Sequence, residues 1–240
     1  MTEYRIHPLV VGANETDQGV MTYLKGYGKR IWIPIYVFYL EGGPQKILVD
    51  TGLEQFMVPD EVARQYGLKI QEFEDALATY NLTPEDIDII IHTHLHNDHC
   101  ENDYKCTNAK VYVQKAEYEF FKNPHPLDHR YFQDLLDDVE VVLVEGDQEI
   151  VPGISVMLTP GHTPGGQSVV VNTSAGKAII TGFCCNDQNF PASGPLVPCG
   201  VHLNLLEAYD SINRVREAAD IIIPIHDLSV GRHATIPSEQ

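Results

Sequence analysis

The stretch His92-Thr93-His94-Leu95-His96-Asn97-Asp98-His99 holds four side chains able to bind a cation, His94, His96, Asp98 and His99, within six residues. Neutral imidazoles and a carboxylate suit zinc, iron or manganese, and two neighbouring ions would let two subsets of these ligands act at once. In an extended chain, side chains at i and i+2 share a face, which pairs His94 with His96 on one ion. A solvated polar loop has no need of histidine at alternate positions. His92 is a further candidate ligand, though it reads first as a packed histidine that orients the others through hydrogen bonds. Two further signals lie downstream. His162 sits at the centre of Pro160-Gly161-His162-Thr163-Pro164-Gly165-Gly166, whose glycines and prolines demand a tight turn, and His226 ends the apolar run that starts at Ile221.

The elements that must position these residues follow from hydrophobic period and punctuation. Ile87 to Ile91 is a short apolar run that leads straight into the histidines, so they sit at the C-terminal end of a buried strand. Upstream, Ile31 to Leu40, the turn Glu41-Gly42-Gly43-Pro44 and Lys46 to Asp50 read as a hairpin of buried strands. Between Pro59 and Tyr80 the pattern is helical, with Phe73, Leu77 and Tyr80 on one face, and Thr83-Pro84-Glu85-Asp86 reads as a capped helix start. Gln114 to Phe121 reads as helix; Val139 to Val144, Ile154 to Leu158, Ser168 to Asn172 and Lys177 to Thr181 read as strands. His202 to Ala219 is the longest expected helix, delivering the chain to the strand that ends at His226. Strands and helices alternate, and polar residues gather at strand ends, an α/β arrangement.

Composition narrows the function classes. The chain has 240 residues, 43% hydrophobic, with no repeat or linker-like segment, which predicts one domain over residues 1–240. Sixteen basic residues against 34 acidic ones give a formal charge of −18, which repels a phosphate backbone and disfavours a nucleic-acid partner. The apolar run Ile31 to Leu40 contains Pro34 and is well short of the roughly 20 residues of a membrane span. Met1 to Gly12 lacks the features of a signal peptide, and Cys100, Cys106, Cys184, Cys185 and Cys199 are an odd count without regular spacing; both point to a cytoplasmic protein without disulfides. Nothing in the pattern names a protein partner or an oligomeric state.

The order His94-x-His96-x-Asp98-His99, then Gly161-His162-Thr163-Pro164-Gly165, then a late strand-end histidine, resembles the metallo-β-lactamase superfamily; Asp50-Thr51-Gly52 matches its early turn. The resemblance implies a four-layer αβ/βα sandwich. It also implies His94, His96 and His162 on one metal, with Asp98, His99 and His226 on a second. Ile33 to Tyr36, Leu48 to Gly52 and Val113 to Tyr118 look like the branch containing N-acyl-homoserine lactonases. Two positions depart from that pattern. Phe183, in Ile180-Thr181-Gly182-Phe183-Cys184-Cys185, stands where the family places a bridging aspartate, and Asn186 stands where the lactonase branch has a tyrosine. Cys184 or Cys185 as a thiolate, Asp187, or a site that holds one ion tightly are the competing answers, and loss of a carboxylate between two cations weakens the second site.

The chemistry implied is hydrolysis of a small-molecule substrate by a water whose pKa a divalent metal, zinc first with iron or manganese as alternatives, lowers to about 7. The hydroxide attacks the carbonyl of an ester or lactone, most simply a cyclic one, and Asp98 protonates the leaving group. Tyr23, Tyr27, Trp32, Phe183 and Phe190 are candidates for an apolar pocket wall. An amide or thioester hydrolase of the same fold is the alternative. A non-catalytic metal-binding protein or a di-iron redox protein fits less well, the latter because it would carry a flavin-binding domain as well.

Overall fold

Period-two alternation along the strands assigns each side chain to a layer. The computed structural model describes residues 2–54 and 58–238. β1 (Arg5–Asp17) and β2 (Arg30–Glu41), joined through α1 (Gln18–Met21), pair antiparallel over their whole length. β3 (Ile47–Val49) pairs antiparallel with β2, which is the expected hairpin, and β4 (Ile89–Ile91), β5 (Lys110–Gln114) and β6 (Glu140–Val144) extend the sheet in parallel. The second sheet runs β11 (Ile221–Ile223), β10 (Gly176–Ile180), β9 (Gln167–Thr173), β8 (Ile154–Leu158), β7 (Gln148–Val151).

Tyr36, Phe38 and Leu40 of β2 face inward with Ile47, Val49, Ile89 and Ile91, where they meet Val156, Val169, Val171, Ala178, Ile180 and Ile223 of the second sheet. The intervening residues Ile35, Val37, Leu48 and Ile90 face outward onto Phe73, Ala76 and Leu77 of α3 (Phe73–Ala78), which follows the more exposed α2 (Asp60–Tyr66). On the far side, Ile179 and Val170 meet Ile212 and Val215 of α6 (Leu205–Ala218). Two sheets face to face with helices on both outer surfaces make the αβ/βα sandwich that the family resemblance implies. Two shorter helices, α4 (Asn97–Cys100) and α5 (Lys115–Lys122), follow β4 and β5.

Several elements differ from the sequence reading. The helical stretch from Pro59 to Tyr80 is two helices, because Gly67 takes a left-handed conformation (φ 66°) and ends α2. Thr83-Pro84 starts only a single 3₁₀ turn, Pro84–Asp86, since Ile87 passes directly toward β4. The last helix starts at Leu205 and not at His202, because Asn204 caps it by accepting from the backbone N–H groups of Leu206 and Glu207 at 3.1 and 3.3 Å. No helix among the described residues is long and apolar enough to cross a membrane.

Candidate metal centre

β4 ends at Ile91 and the chain enters a loop that folds over the strand ends of the first sheet, bringing His94, His96 and His99 together. The ring centroids of His94 lie 4.6 Å from His96 and 4.1 Å from His99. The turn after β8 brings His162 to 4.8 Å from His94 and 4.9 Å from His96. Gly161 there has φ +119°, and a Cβ on it would lie 2.2 Å from the backbone nitrogen of Ala208, so α6 packs directly on the turn. After β11, His226 comes to 5.4 Å from His99. Two groups result, each with donor atoms within 4.8 Å of one another: His94, His96 and His162, and Asp98, His99 and His226.

Each of the five imidazoles has one nitrogen tied to an oxygen, which leaves the other as a lone-pair donor. Nδ1 of His94 meets Thr93 Oγ1 at 3.1 Å, Nδ1 of His162 meets the Val201 carbonyl at 2.7 Å, and Nδ1 of His226 meets the Pro34 carbonyl at 2.9 Å. His99 Nδ1 donates to Asp50 at 2.7 Å, and its buried Nε2 has no hydrogen-bond partner among the described residues, Asp98 being the nearest carboxylate at 3.7 Å. His96 is held by the opposite atom, Nε2, at 3.3 Å from Asp128. Burial and neighbouring histidines keep His94 and His162 well below the usual imidazole range; burial, then His99, lowers His226 to about 4. Neutral imidazole is the form that binds a metal. Burial alone would raise the Asp98 carboxyl, but His99, His226, His96 and Arg130 hold it below its ordinary value. Burial lowers His96 as well; at His99 burial is outweighed by Asp98 and Asp50, which raise it above its ordinary value. Four neutral imidazoles, a fifth held between two carboxylates with an orphaned buried nitrogen, and an ionised carboxylate fit a pair of divalent cations.

Three buried side chains brace this arrangement. Asp50, at φ 58°, accepts from Thr93 N and Oγ1, both at 2.8 Å, as well as from His99. His92 donates from both nitrogens, to Asp103 at 2.7 Å and Asp50 at 3.3 Å; burial opposes its charge, yet the two carboxylates raise it to about 10. It faces neither trio and orients the loop instead. Glu117, on α5, accepts from Leu95 N at 3.0 Å, Tyr131 OH at 2.8 Å and Gly165 N at 3.0 Å, and so ties the loop of His94 and His96 to the turn of His162.

Neither trio contains a residue from the end of β10. Phe183 is buried against Ile179, Cys185, Ile212 and Val215, turned toward α6. Cys185 lies in the same apolar cluster, its sulfur 3.0 Å from Thr181 Oγ1, and burial pushes its thiol up to about 12. Asp187 is exposed in the 3₁₀ turn Asp187–Asn189 that Asn186 caps. Cys184 does line the cavity beside the histidines, with its sulfur 3.4 Å from Met21 Sδ. That cavity, about 350 Å³, is also walled by Asn14, Thr16, Val201 and Arg130. It touches a second cavity of about 370 Å³ at Ile33 and His226, lined by Trp32 and Tyr66. Of the aromatic residues proposed for a pocket wall, only Trp32 lines a cavity at the site; Tyr23 packs edge-on against His202, Tyr27 is exposed, and Phe190 packs 6.5 Å from Phe183 beneath α6.

The fold is an αβ/βα sandwich with two trios of potential metal ligands gathered at its strand ends. The chain belongs to the metallo-beta-lactamase superfamily, whose family model matches residues 30–182. An N-acyl homoserine lactonase from a Bacillus species is 29% identical to it, over 97% of this chain and 96% of that one. A second, from Bacillus thuringiensis subsp. kurstaki, is 29% identical over 95% of each. A solved structure of a mutant of the AiiA protein from B. thuringiensis, with N-decanoyl-L-homoserine bound at the active site, superposes with a TM-score of 0.79 at 26% identity, covering 97% of this chain and 96% of that one.

Proposed function

We propose that this chain is a metal-dependent hydrolase that opens a small cyclic ester, with His94, His96 and His162 holding one divalent ion and Asp98, His99 and His226 a second. The observation that carries the reading is that every one of these five imidazoles has one nitrogen fixed by an oxygen and the other turned into a shared cluster. Similarity over nearly the whole length to lactonases supports the choice of an ester bond. Zinc is the first choice of metal, since imidazole and carboxylate ligands suit it, with iron or manganese as alternatives that the same ligands accept. Six strands and five strands that share one apolar cluster support a single domain over residues 1–240, and five unpaired buried cysteines support a cytoplasmic setting.

When bound, such ions supply Lewis acidity that lowers the pKa of a water to about 7 and draws charge from a carbonyl oxygen. The chain's own residues do the rest. Asp98, held ionised and partly open to the cavity, accepts a proton as the water attacks and returns it to the departing alkoxide, which is a poor leaving group without it. Asp50, Asp128 and the Val201 and Pro34 carbonyls keep the imidazoles aligned through the cycle. Hydrolysis of a series of lactones by zinc-loaded protein, followed by proton release, tests the reading. Turnover that stops on chelation and returns with zinc is expected; no turnover of any lactone, with two zinc ions bound, would overturn it.

A further inference from the structure

Among the described residues, the cavity beside the two trios has a single arginine or lysine on its wall, Arg130. Its guanidinium is fixed: Nε and Nη2 donate to the two oxygens of Asp128, each at 2.7 Å. That carboxylate is 2% exposed and is shared with His96 Nε2 at 3.3 Å, so the cation stands one hydrogen-bonded bridge from a candidate metal ligand. The Arg130 carbonyl also accepts from Asn97 N at 2.9 Å, which stitches its loop to the histidine loop. Its side chain remains 37% exposed, and among the described residues Nη1 has no hydrogen-bond partner. The other charged side chains on this wall are Glu15, already engaged by Arg30 at 3.3 Å, and Asp98 of the second trio.

We propose that Arg130 determines specificity: its outward edge binds a carboxylate on the substrate, which is therefore a small anionic cyclic ester. This rests on the hydrolase reading above and names the substrate class for it. A planar guanidinium held on one side by a carboxylate presents its remaining N–H groups in the fork that a second carboxylate fits, and the pre-formed geometry loses little entropy on binding. A cavity of about 350 Å³ admits a compact ring with one such substituent. A neutral substrate would leave that edge of the cation to water.

The test uses zinc-loaded wild type, Arg130→Met and Arg130→Lys with two lactones of equal size, a γ-butyrolactone bearing a carboxylate beside the ring oxygen and the same ring bearing a carboxamide. Wild type should prefer the carboxylate, and the ratio of the two kcat/KM values should fall about 10- to 100-fold in Arg130→Met, mainly through KM, with partial recovery in Arg130→Lys. If Arg130 serves only to hold Asp128, both substrates lose equally and the ratio stays, which overturns the proposal. The lysine variant, which keeps a cation beside Asp128, decides the matter should the methionine variant fail to fold. Calorimetric titration with glutarate reads the subsite without turnover. Weaker glutarate binding in Arg130→Met supports the subsite even if neither lactone is opened, in which case the hydrolase reading falls alone; equal turnover of both lactones by wild type sinks the subsite and leaves the hydrolase standing.

Discussion

Oδ2 of Asp50 lies 2.7 Å from Nδ1 of His99, and that contact joins the early Asp50-Thr51-Gly52 turn to the second trio across 49 residues of chain. Asp50 pays for its left-handed backbone, a conformation worth about 1–2 kcal/mol in a residue with a Cβ, by receiving four hydrogen bonds that the loop of His92 to His99 needs. An Asp50→Asn change keeps the size and removes the charge that orients His99. Its affinity for the more weakly held ion should fall about 10- to 100-fold in a chelator-competition titration. An unchanged titration would mean that His99 needs no orienting carboxylate.

Glu117 is a brace without a place in either trio. Glu117→Ala leaves the buried N–H groups of Leu95 and Gly165 and the hydroxyl of Tyr131 without their acceptor. Each lost partner costs about 1–3 kcal/mol, so urea unfolding should show a loss of several kcal/mol or no folded protein. A midpoint equal to wild type would contradict the bridging role.

Asp98 is assigned both a metal and a proton. Asp98→Asn keeps an oxygen donor and cannot carry the proton, so kcat on a lactone should drop about 10²- to 10⁴-fold. The ion held by His94, His96 and His162 should stay bound in the same sample. Loss of less than threefold in kcat would remove Asp98 from the proton path.

The thiols set the alkaline limit of stability. Burial pushes Cys185 and Cys199 up to about 12, above the ordinary cysteine value near 9. The folded chain therefore keeps protons that the unfolded chain releases, and stability falls as pH rises from about 9 toward 12. The slope approaches roughly 1.4 kcal/mol per pH unit for each such thiol. Denaturant midpoints measured from about pH 8 to pH 11 should decline across that range, and a flat profile would place these thiols in water.

How legible the site was in the sequence depended on the range of each contact. His94, His96, Asp98 and His99 announce themselves because their spacing is local, and the Gly161 to Gly165 turn marks His162 in the same way. Asp128, Arg130 and Glu117 did not stand out, since what gives them meaning is a partner far along the chain: His96 for Asp128, and Leu95 and Gly165 for Glu117. In the fold, the strands of β2, β4 and β10 read directly from their apolar runs. β1 carries no such run: Pro8, Gly12 and the polar Asn14 to Asp17 interrupt its pattern, and pairing with β2 makes it a strand. Phe183 stands at the position of a family aspartate, but its side chain turns to α6, a direction that spacing alone does not reveal.

Two trios holding two ions is a matter of stoichiometry, which elemental mass spectrometry reads without any substrate. Protein purified without chelators and saturated with zinc is compared with His94→Ala and His226→Ala, one from each trio. Two zinc ions per wild-type chain and one in each variant are expected; a wild type that binds none, or variants that still bind two, would rule out the paired trios.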